Sequence, residues 1–323
     1  MKNLTKGLAV PMIIGIIGLA VIVIPASVHA QTDIDAIMME KNAFCVGPMY
    51  SYSSWKEYWE GTMKRENLNL GRVSTQMAGL MGNYGLNRKV NLLFSVPWVK
   101  TKASAGTMHG LDGIQDLSLF VKWKAWQKRM GDGRLTVFGI GGLSVPLTNY
   151  TPDFLPLSIG LHTKTASARA MVDYDLRGMF VTGSATYVLR DNIKIDRESY
   201  YTTEMHLTNE VEMPDAGNFN LRLGFRNQRV IAEAVVNNWT TFGGFDITRN
   251  NMPFPSNRMN ATTVGFNFKY VLPNLPKLSI VVGGSTTVAG RNMGKATGGY
   301  GSIFYVFDFS PKEKSSDKPS NSN

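Results

Sequence analysis

The sequence predicts an all-β protein, a transmembrane antiparallel up-and-down β-barrel of about twelve strands behind a secretory signal. Three observations carry this. Long stretches alternate apolar and polar residues two at a time, the period of a strand whose faces meet different solvents. The connections between these stretches alternate between short and long. No apolar run after Ile24 is long enough to cross a bilayer as a helix, since polar or charged residues interrupt each one within about ten positions.

The chain opens on an address. Lys2 and Lys6 form a basic start, Gly7 to Ile24 is almost wholly apolar, and Pro25-Ala-Ser-Val-His-Ala30 supplies small residues before Gln31. Residues 1–30 read as a signal peptide cut after Ala30. Residues 31–46 form an N-terminal segment in which Asp33 to Phe44 is expected to make a short helix, with Ile34, Ile37, Met38 and Met39 on its apolar surface. The barrel is expected over 47–309. A polar tail, 310–323, is too hydrophilic to bury and reads as disordered.

The strand candidates follow in order: 47–62, 69–83, 89–101, 113–126, 134–147, 160–174, 179–190, 198–213, 218–239, 258–272, 277–288 and 299–309. The last is the clearest. Ile303, Tyr305, Phe307 and Phe309 share one face, and Ser302, Phe304, Val306 and Asp308 share the other. It should close the barrel against 47–62, with its aromatic face towards lipid. Turn-like connections are expected at 84–88, 128–133, 175–178, 214–217 and 273–276, and longer polar ones at 102–112, 148–159, 191–197, 240–257 and 289–298. Bacterial barrels keep short turns on the periplasmic side and long loops outside. A soluble sandwich would explain the signal and the alternation. It would not explain the loop parity or strands of more than ten residues.

Composition agrees. Hydrophobic residues make up 43% of the chain and glycine 32 of 323 positions. Cys45 is the single cysteine, so no disulfide can form within the chain. The net charge is +10, and removing Lys2 and Lys6 with the signal leaves +8. The basic residues are scattered, which argues against nucleic acid as a partner and towards anionic lipid headgroups or solutes.

The stretch Lys89-Val-Asn-Leu-Leu-Phe-Ser-Val-Pro-Trp-Val-Lys100, then Gly113-Ile-Gln-Asp-Leu-Ser-Leu-Phe-Val-Lys-Trp123, resembles the outer-membrane proteins grouped under the label "MetA-pathway of phenol degradation". Gly141-Gly-Leu-Ser-Val-Pro-Leu147 and Gly290-Arg-Asn-Met-Gly294 fit the same pattern, and the likeness spans most of 47–309. It implies an outer-membrane transporter associated with aromatic compounds. Its motifs are strand and turn patterns with no chemical signature, and the polar ending after Phe309 departs from the usual aromatic terminus.

Function should lie on the inward faces. The candidates for contact with solute are Arg72, Lys122, Lys124, Arg169, Glu204, His206, Arg222, Arg226 and Lys269, with Asp116 and Glu210 beside them. Bases outnumber acids, which suggests a lumen favouring anionic or polar solutes. The competing reading is a lumen cross-linked by these charges and largely closed. The proline-bearing stretch 240–257 could fold inward as a constriction or form an ordered outer loop. Met38, Met39, Cys45 and Met49 are soft groups suited to Cu(I), but equally to packing an apolar segment into or under the barrel. Trp55, Tyr58 and Trp59 suit an interfacial aromatic belt.

Of the histidines left after signal removal, His109, His162 and His206, none has a serine and an orienting group beside it in sequence. No cofactor or metal site is implied. The expected protein is an outer-membrane channel or transporter for small solutes, aromatic or anionic, in contact with outer-membrane lipid, lipopolysaccharide and the barrel-assembly machinery. The alternatives are an enzyme acting on lipid or lipopolysaccharide, and a closed structural barrel.

Overall fold

A strand apolar on one face and polar on the other gains most by curling its sheet shut, which pairs every edge and separates two solvents. The computed structural model describes residues 32–247 and 252–310, and within it twelve long strands do this. They are β1 (Ala43–Trp55), β2 (Val73–Gly85), β3 (Val90–Ala103), β4 (Asp116–Met130), β5 (Gly133–Pro146), β6 (Thr165–Leu176), β7 (Met179–Arg190), β8 (Ala216–Arg226), β9 (Val230–Thr241), β10 (Asn260–Leu272), β11 (Leu275–Arg291) and β12 (Thr297–Asp308). Each pairs antiparallel with its sequence neighbour. The ring closes where β12 meets β1, with Phe307 opposite Phe44, Ser302 opposite Met49 and Thr297 opposite Ser54. A short piece, Asp112–Ile114, extends β4 upward, and Gln115 N donates to Pro97 O at 2.9 Å across the irregularity between them. Strand lengths run from 11 to 17 residues. That suffices for a tilted membrane strand.

Side chains alternate as a lipid-embedded wall requires. On β8, Asn220 and Arg222 are buried between exposed Phe219, Leu221 and Leu223. On β4, Lys122 is fully buried while its neighbours Val121 and Trp123 are about half exposed, at 47% and 52%. On β12, Ile303, Tyr305, Phe307 and Phe309 face outward, with the Tyr305 and Phe307 rings 4.8 Å apart. Ser302, Phe304 and Val306 face in. Exposed Trp123, Trp126, Phe225, Tyr270 and Tyr305 lie towards the end with the short turns, and Tyr52, Tyr187 and Phe242 towards the other. These are two aromatic girdles.

The short turns occupy 86–89, 131–132, 177–178, 227–229 and 273–274, all at one end. By the rule for such barrels this end is periplasmic. The outer connections are 56–72, 104–115, 147–164, 191–215, 242–259 and 292–296.

The structure corrects two of the expected strands, and the corrections offset each other. The expected strand 198–213 is part of the outer loop 191–215. There Ile193–Lys194 pairs with Glu210–Val211, and Tyr200–Tyr201 pairs with Met205–His206. The expected strand 218–239 is two strands, β8 and β9. The turn between them has no Gly or Pro to mark it. Asn227 makes it: its Oδ1 accepts from the amides of Arg229 and Val230, both at 2.8 Å. Asn87 builds the β2–β3 turn in the same way, accepting from Lys89 and Val90. An Asx side chain replaces backbone partners and so hides a hairpin in an otherwise continuous pattern. The segment 214–217 is consequently the outer entry to β8 and not a periplasmic turn.

The outer loops form an ordered cap. Loop 242–259 packs Phe254 against Ile193, Tyr200, Val211 and Met213 of loop 191–215. Its described residues line none of the cavities of the bore. Loop 147–164 does border the outer cavity, through Gly160, Leu161 and Thr163, and is anchored where the carbonyl of the wholly buried Leu157 accepts from Thr101 Oγ1 at 2.6 Å. Trp55 and Trp59 do not form a lipid belt: Trp59 is 9% exposed and lies against Gly290, and Trp55 lies against Gly294. The expected signal, residues 1–30, and the tail 311–323 lie outside the described residues.

At the seam, Gly47 has no room for a side chain. A Cβ there would lie 1.9 Å from the Ile303 carbonyl oxygen. Gly141 is a lipid-facing contrast, with open space extending 4 Å around the point where a Cβ would sit. Gly47→Val should therefore cut the assembled fraction, read as the heat-sensitive fast band of folded barrels in unboiled electrophoresis, with strain of about 1–3 kcal/mol. Gly141→Ala should leave that band unchanged.

Candidate functional site

The lumen is built around the chain's own N-terminal segment. Residues 32–42 form no helix; they turn at 33–36 and run extended towards β1. The cause is local competition for hydrogen bonds. Asp35 caps its own turn, taking the Thr32 amide on Oδ2 at 2.5 Å and the Ile37 amide on Oδ1 at 3.1 Å. The carbonyls a helix would use internally go instead to Lys122. Its Nζ donates to Thr32 O at 2.6 Å, Asp35 O at 2.8 Å and Ile37 O at 3.3 Å, and pairs with Asp35 Oδ1 at 3.0 Å.

Arg169 on β6 makes a second attachment, from Nη1 to Asp33 O at 3.0 Å and Asp33 Oδ2 at 2.9 Å. Below this latch, Ala36 and Met38 pack on Phe138, Ile140 and Met171, while Met39 packs with Ala43, Cys45, Phe304 and Val306. The soft residues are therefore dispersed. Met39 and Cys45 share one cluster, Met38 sits in another, and Met49 lines a cavity, so copper ligation by the four together finds no geometry here.

Three cavities follow one another along the axis, and the N-terminal segment borders all of them. The outer one, about 710 Å³, has many hydroxyl and amide side chains in its lining, among them Ser118, Ser167, Thr186, Asn218, Asn237 and Ser285. The middle one, about 370 Å³, is bounded by Thr32–Ile37, Arg222, Glu233, Asn267, Lys269 and Tyr300 on its polar side. Met49, Met77, Met81, Phe180, Ile231 and Phe304 bound its apolar side. The periplasmic one, about 390 Å³, is lined by Met38, Lys124, Arg134, Asp173, Asp175 and Arg226. Adjacent cavities share walls. Asp33, Ile34, Arg222, Asn267 and Tyr300 border the first and second; Ala36, Ile37, Arg226 and Ile231 border the second and third.

The sequence candidates divide accordingly. Lys122, Arg169, Arg222, Arg226 and Lys269 are brought together in the lumen, and Lys124 lines its periplasmic mouth. Asp116 lies at the outer end, where Tyr150 Oη donates to its Oδ1 at 2.5 Å. Four others are misplaced by the expected register. Arg72 is exposed at the outer rim, donating to Ser54 Oγ at 3.2 Å. Glu204, His206 and Glu210 belong to loop 191–215, where the His206 ring stacks on Tyr200 at 4.6 Å.

Sequence reasoning misses the acids that matter most. It puts Asp33 and Asp35 on a short helix ahead of the barrel strands, Glu233 in the middle of a strand that is in fact two, and Asp175 in a turn. Arg222 Nη1 pairs with Glu233 at 2.5 Å; Arg226 bridges Asp173 at 2.5 Å and Asp175 at 2.7 Å. Five bases (Lys122, Arg169, Arg222, Arg226, Lys269) and five acids (Asp33, Asp35, Asp173, Asp175, Glu233) thus share the centre of the lumen, and the cavity walls add three more bases (Lys124, Arg134, Arg190) and one more acid (Asp116). The available sequence signal is the spacing of Asp173 and Asp175, two apart on one strand face.

The barrel has counterparts among known proteins. The model of the family described as "Putative MetA-pathway of phenol degradation" matches residues 67–302. The chain belongs to this family. The crystal structure of the COG4313 outer membrane channel from Pseudomonas putida F1 is similar at 14% identity and a TM-score of 0.68, covering 86% of this chain and 100% of that one. The translocator domain of the autotransporter NalP from Neisseria meningitidis aligns at 11% identity and a TM-score of 0.44, over 85% and 91% of the two chains. No curated protein matches the sequence. The first likeness establishes an outer-membrane barrel fold for this member of the family.

The latch has a pH signature. Burial pushes the Asp35 carboxyl up, but the Lys122 ammonium and the Thr32 and Ile37 amides outweigh it and hold the group below its ordinary 3.8. A carboxyl depressed in the folded state stabilises it above the ordinary value, and loses that effect as pH falls through the folded one. Hydrogen exchange of residues 32–42, taken relative to the intrinsic rate at each pH, should therefore be slow at neutral pH and accelerate below about pH 4. Lys122→Met, which strands Asp35 in the lumen at a cost on the order of 3–5 kcal/mol, should accelerate it already at pH 7.

Proposed function

We propose that this protein is an outer-membrane channel for small solutes, closed at rest by its own N-terminal segment. The observation that carries the reading is the series of three cavities, sharing walls from the outer loops to the periplasmic turns and interrupted where Thr32–Met38 crosses the axis. A barrel serving as a membrane anchor alone would fill its centre with interlocked side chains. Here the centre is filled by a separable strand end held by two cationic side chains. The similar solved structure is itself an outer membrane channel, which supports conduction, and the family's description supports a solute of aromatic character.

The geometry also supports choosing this reading over catalysis. His162 packs edge-on to Tyr150, His206 stacks on Tyr200, and His109 is exposed; each ring is engaged by an aromatic neighbour or faces solvent.

Removal of residues 32–38 from the mature protein should raise single-channel conductance in planar bilayers and speed liposome uptake of p-cresol. The double substitution Lys122→Met, Asp35→Asn, which weakens the latch without leaving a charge, should shift conductance in the same direction by a smaller amount. A plug-less barrel conducting no more than the intact one would overturn the proposal.

A further inference from the structure

We infer that the middle cavity is a solute site selective for uncharged molecules that pair a small apolar body with one hydroxyl head, and that Arg222 and Tyr300 read the head. The inference rests on the channel reading and names the class of solute it carries. The charge of the site decides against an anion. Its lining holds Asp33, Asp35 and Glu233 against Arg222, Arg226 and Lys269, a formal sum of zero, and Arg222 and Arg226 are already ion-paired. A bare anion would lose its hydration and find no net positive charge in return.

The apolar wall fixes the body. Met49, Met77, Met81, Phe180, Ile231 and Phe304 offer flexible thioethers and rings, which adapt to a ring or short hydrocarbon. At about 370 Å³ the cavity lies at the small end of ligand pockets. The opposite wall fixes the head. Arg222 is only 6% exposed, and its Nε and Nη1 are committed to Asn220 Oδ1 at 2.9 Å and Glu233 Oε1 at 2.5 Å. No bond is recorded for its Nη2 among the described residues, and the residue borders both the middle and the outer cavity. Tyr300, which also borders both, donates its proton to Asn267 Oδ1 at 2.9 Å, and Asn267 Nδ2 in turn donates to Glu233 Oε1 at 2.8 Å. The Tyr300 oxygen is left as an acceptor. The wall therefore presents a donor from Arg222 and an acceptor from Tyr300. A hydroxyl satisfies both, a carbonyl only the donor, and a hydrocarbon neither.

The test is equilibrium binding to the full-length, folded protein in detergent by calorimetry, with p-cresol, toluene and benzoate as probes. p-Cresol is expected to bind more tightly than either of the others. The paired substitution Arg222→Met, Glu233→Gln removes the donor without stranding a charge, and should weaken p-cresol roughly tenfold while leaving toluene unchanged. Tyr300→Phe removes one hydroxyl from an intact fold and should weaken p-cresol about threefold to tenfold, again sparing toluene. Benzoate binding tighter than p-cresol, or p-cresol binding indifferent to Tyr300→Phe, would overturn the inference. Because binding is read without permeation, the two proposals separate. Intact binding with no uptake through the plug-less barrel removes the channel and leaves the site, and uptake without p-cresol binding does the reverse.

Discussion

Hydrocarbon offers no partner to a backbone amide or carbonyl, and that constraint orders everything else in this molecule. It forces the strands to pair on both edges, so the last must find the first, and the β1–β12 ladder is where this is met. Closure then sorts the side chains. Outward positions can hold only what lipid tolerates, as Leu119, Val121 and Trp123 do on β4. The polar and charged groups of the wall are left with one destination, the lumen. The concentration of ionisable residues there follows from the solvent outside the barrel before it follows from any solute inside.

Charges gathered in a narrow, poorly hydrated space must neutralise one another. Two of the five bases do so across the wall, Arg222 with Glu233 and Arg226 with Asp173 and Asp175. Lys122 and Arg169 instead find their acids on the N-terminal segment. Wall pairs stiffen the barrel, whereas pairs to the N-terminal segment can be exchanged for water without opening any strand. The same chemistry therefore supplies both a rigid tube and a removable obstruction. The two uses are distinguished only by whether the acid is on a strand.

The fold is legible in the sequence because two-residue alternation is a direct imprint of a two-solvent wall. The strand at 299–309, its lipid face and its pairing with the first strand can all be read from it. Register is readable only where a turn announces itself with Gly or Pro. At Asn227 the turn is made by a side chain, so β8 and β9 merge in the sequence pattern, and the strand count is restored only by taking the alternating loop segment 198–213 for a strand. The site is less legible for a related reason. Lys122, Arg169, Arg222, Arg226 and Lys269 can be placed on inward faces by parity, but their partners come from other strands or from far along the chain. Asp35 lies 87 residues before Lys122, and Asp33 lies 136 before Arg169. Local apolar spacing in Ile34, Ile37 and Met38 looks helical because nothing in the segment itself reveals that Lys122 will claim its carbonyls.

The two ends of the described chain differ in the space around them. Thr32 lies mid-lumen under the Lys122 amine, whereas Ser310 sits at the periplasmic rim, its hydroxyl within 3.4 Å of the Lys41 carbonyl. A reporter domain attached ahead of Thr32 would have to share the bore with the segment it extends, or pull that segment out. One joined at Ser310 would start at the periplasmic rim, outside the bore. For anyone labelling this barrel, the choice of end is also a choice of which state of the pore is observed.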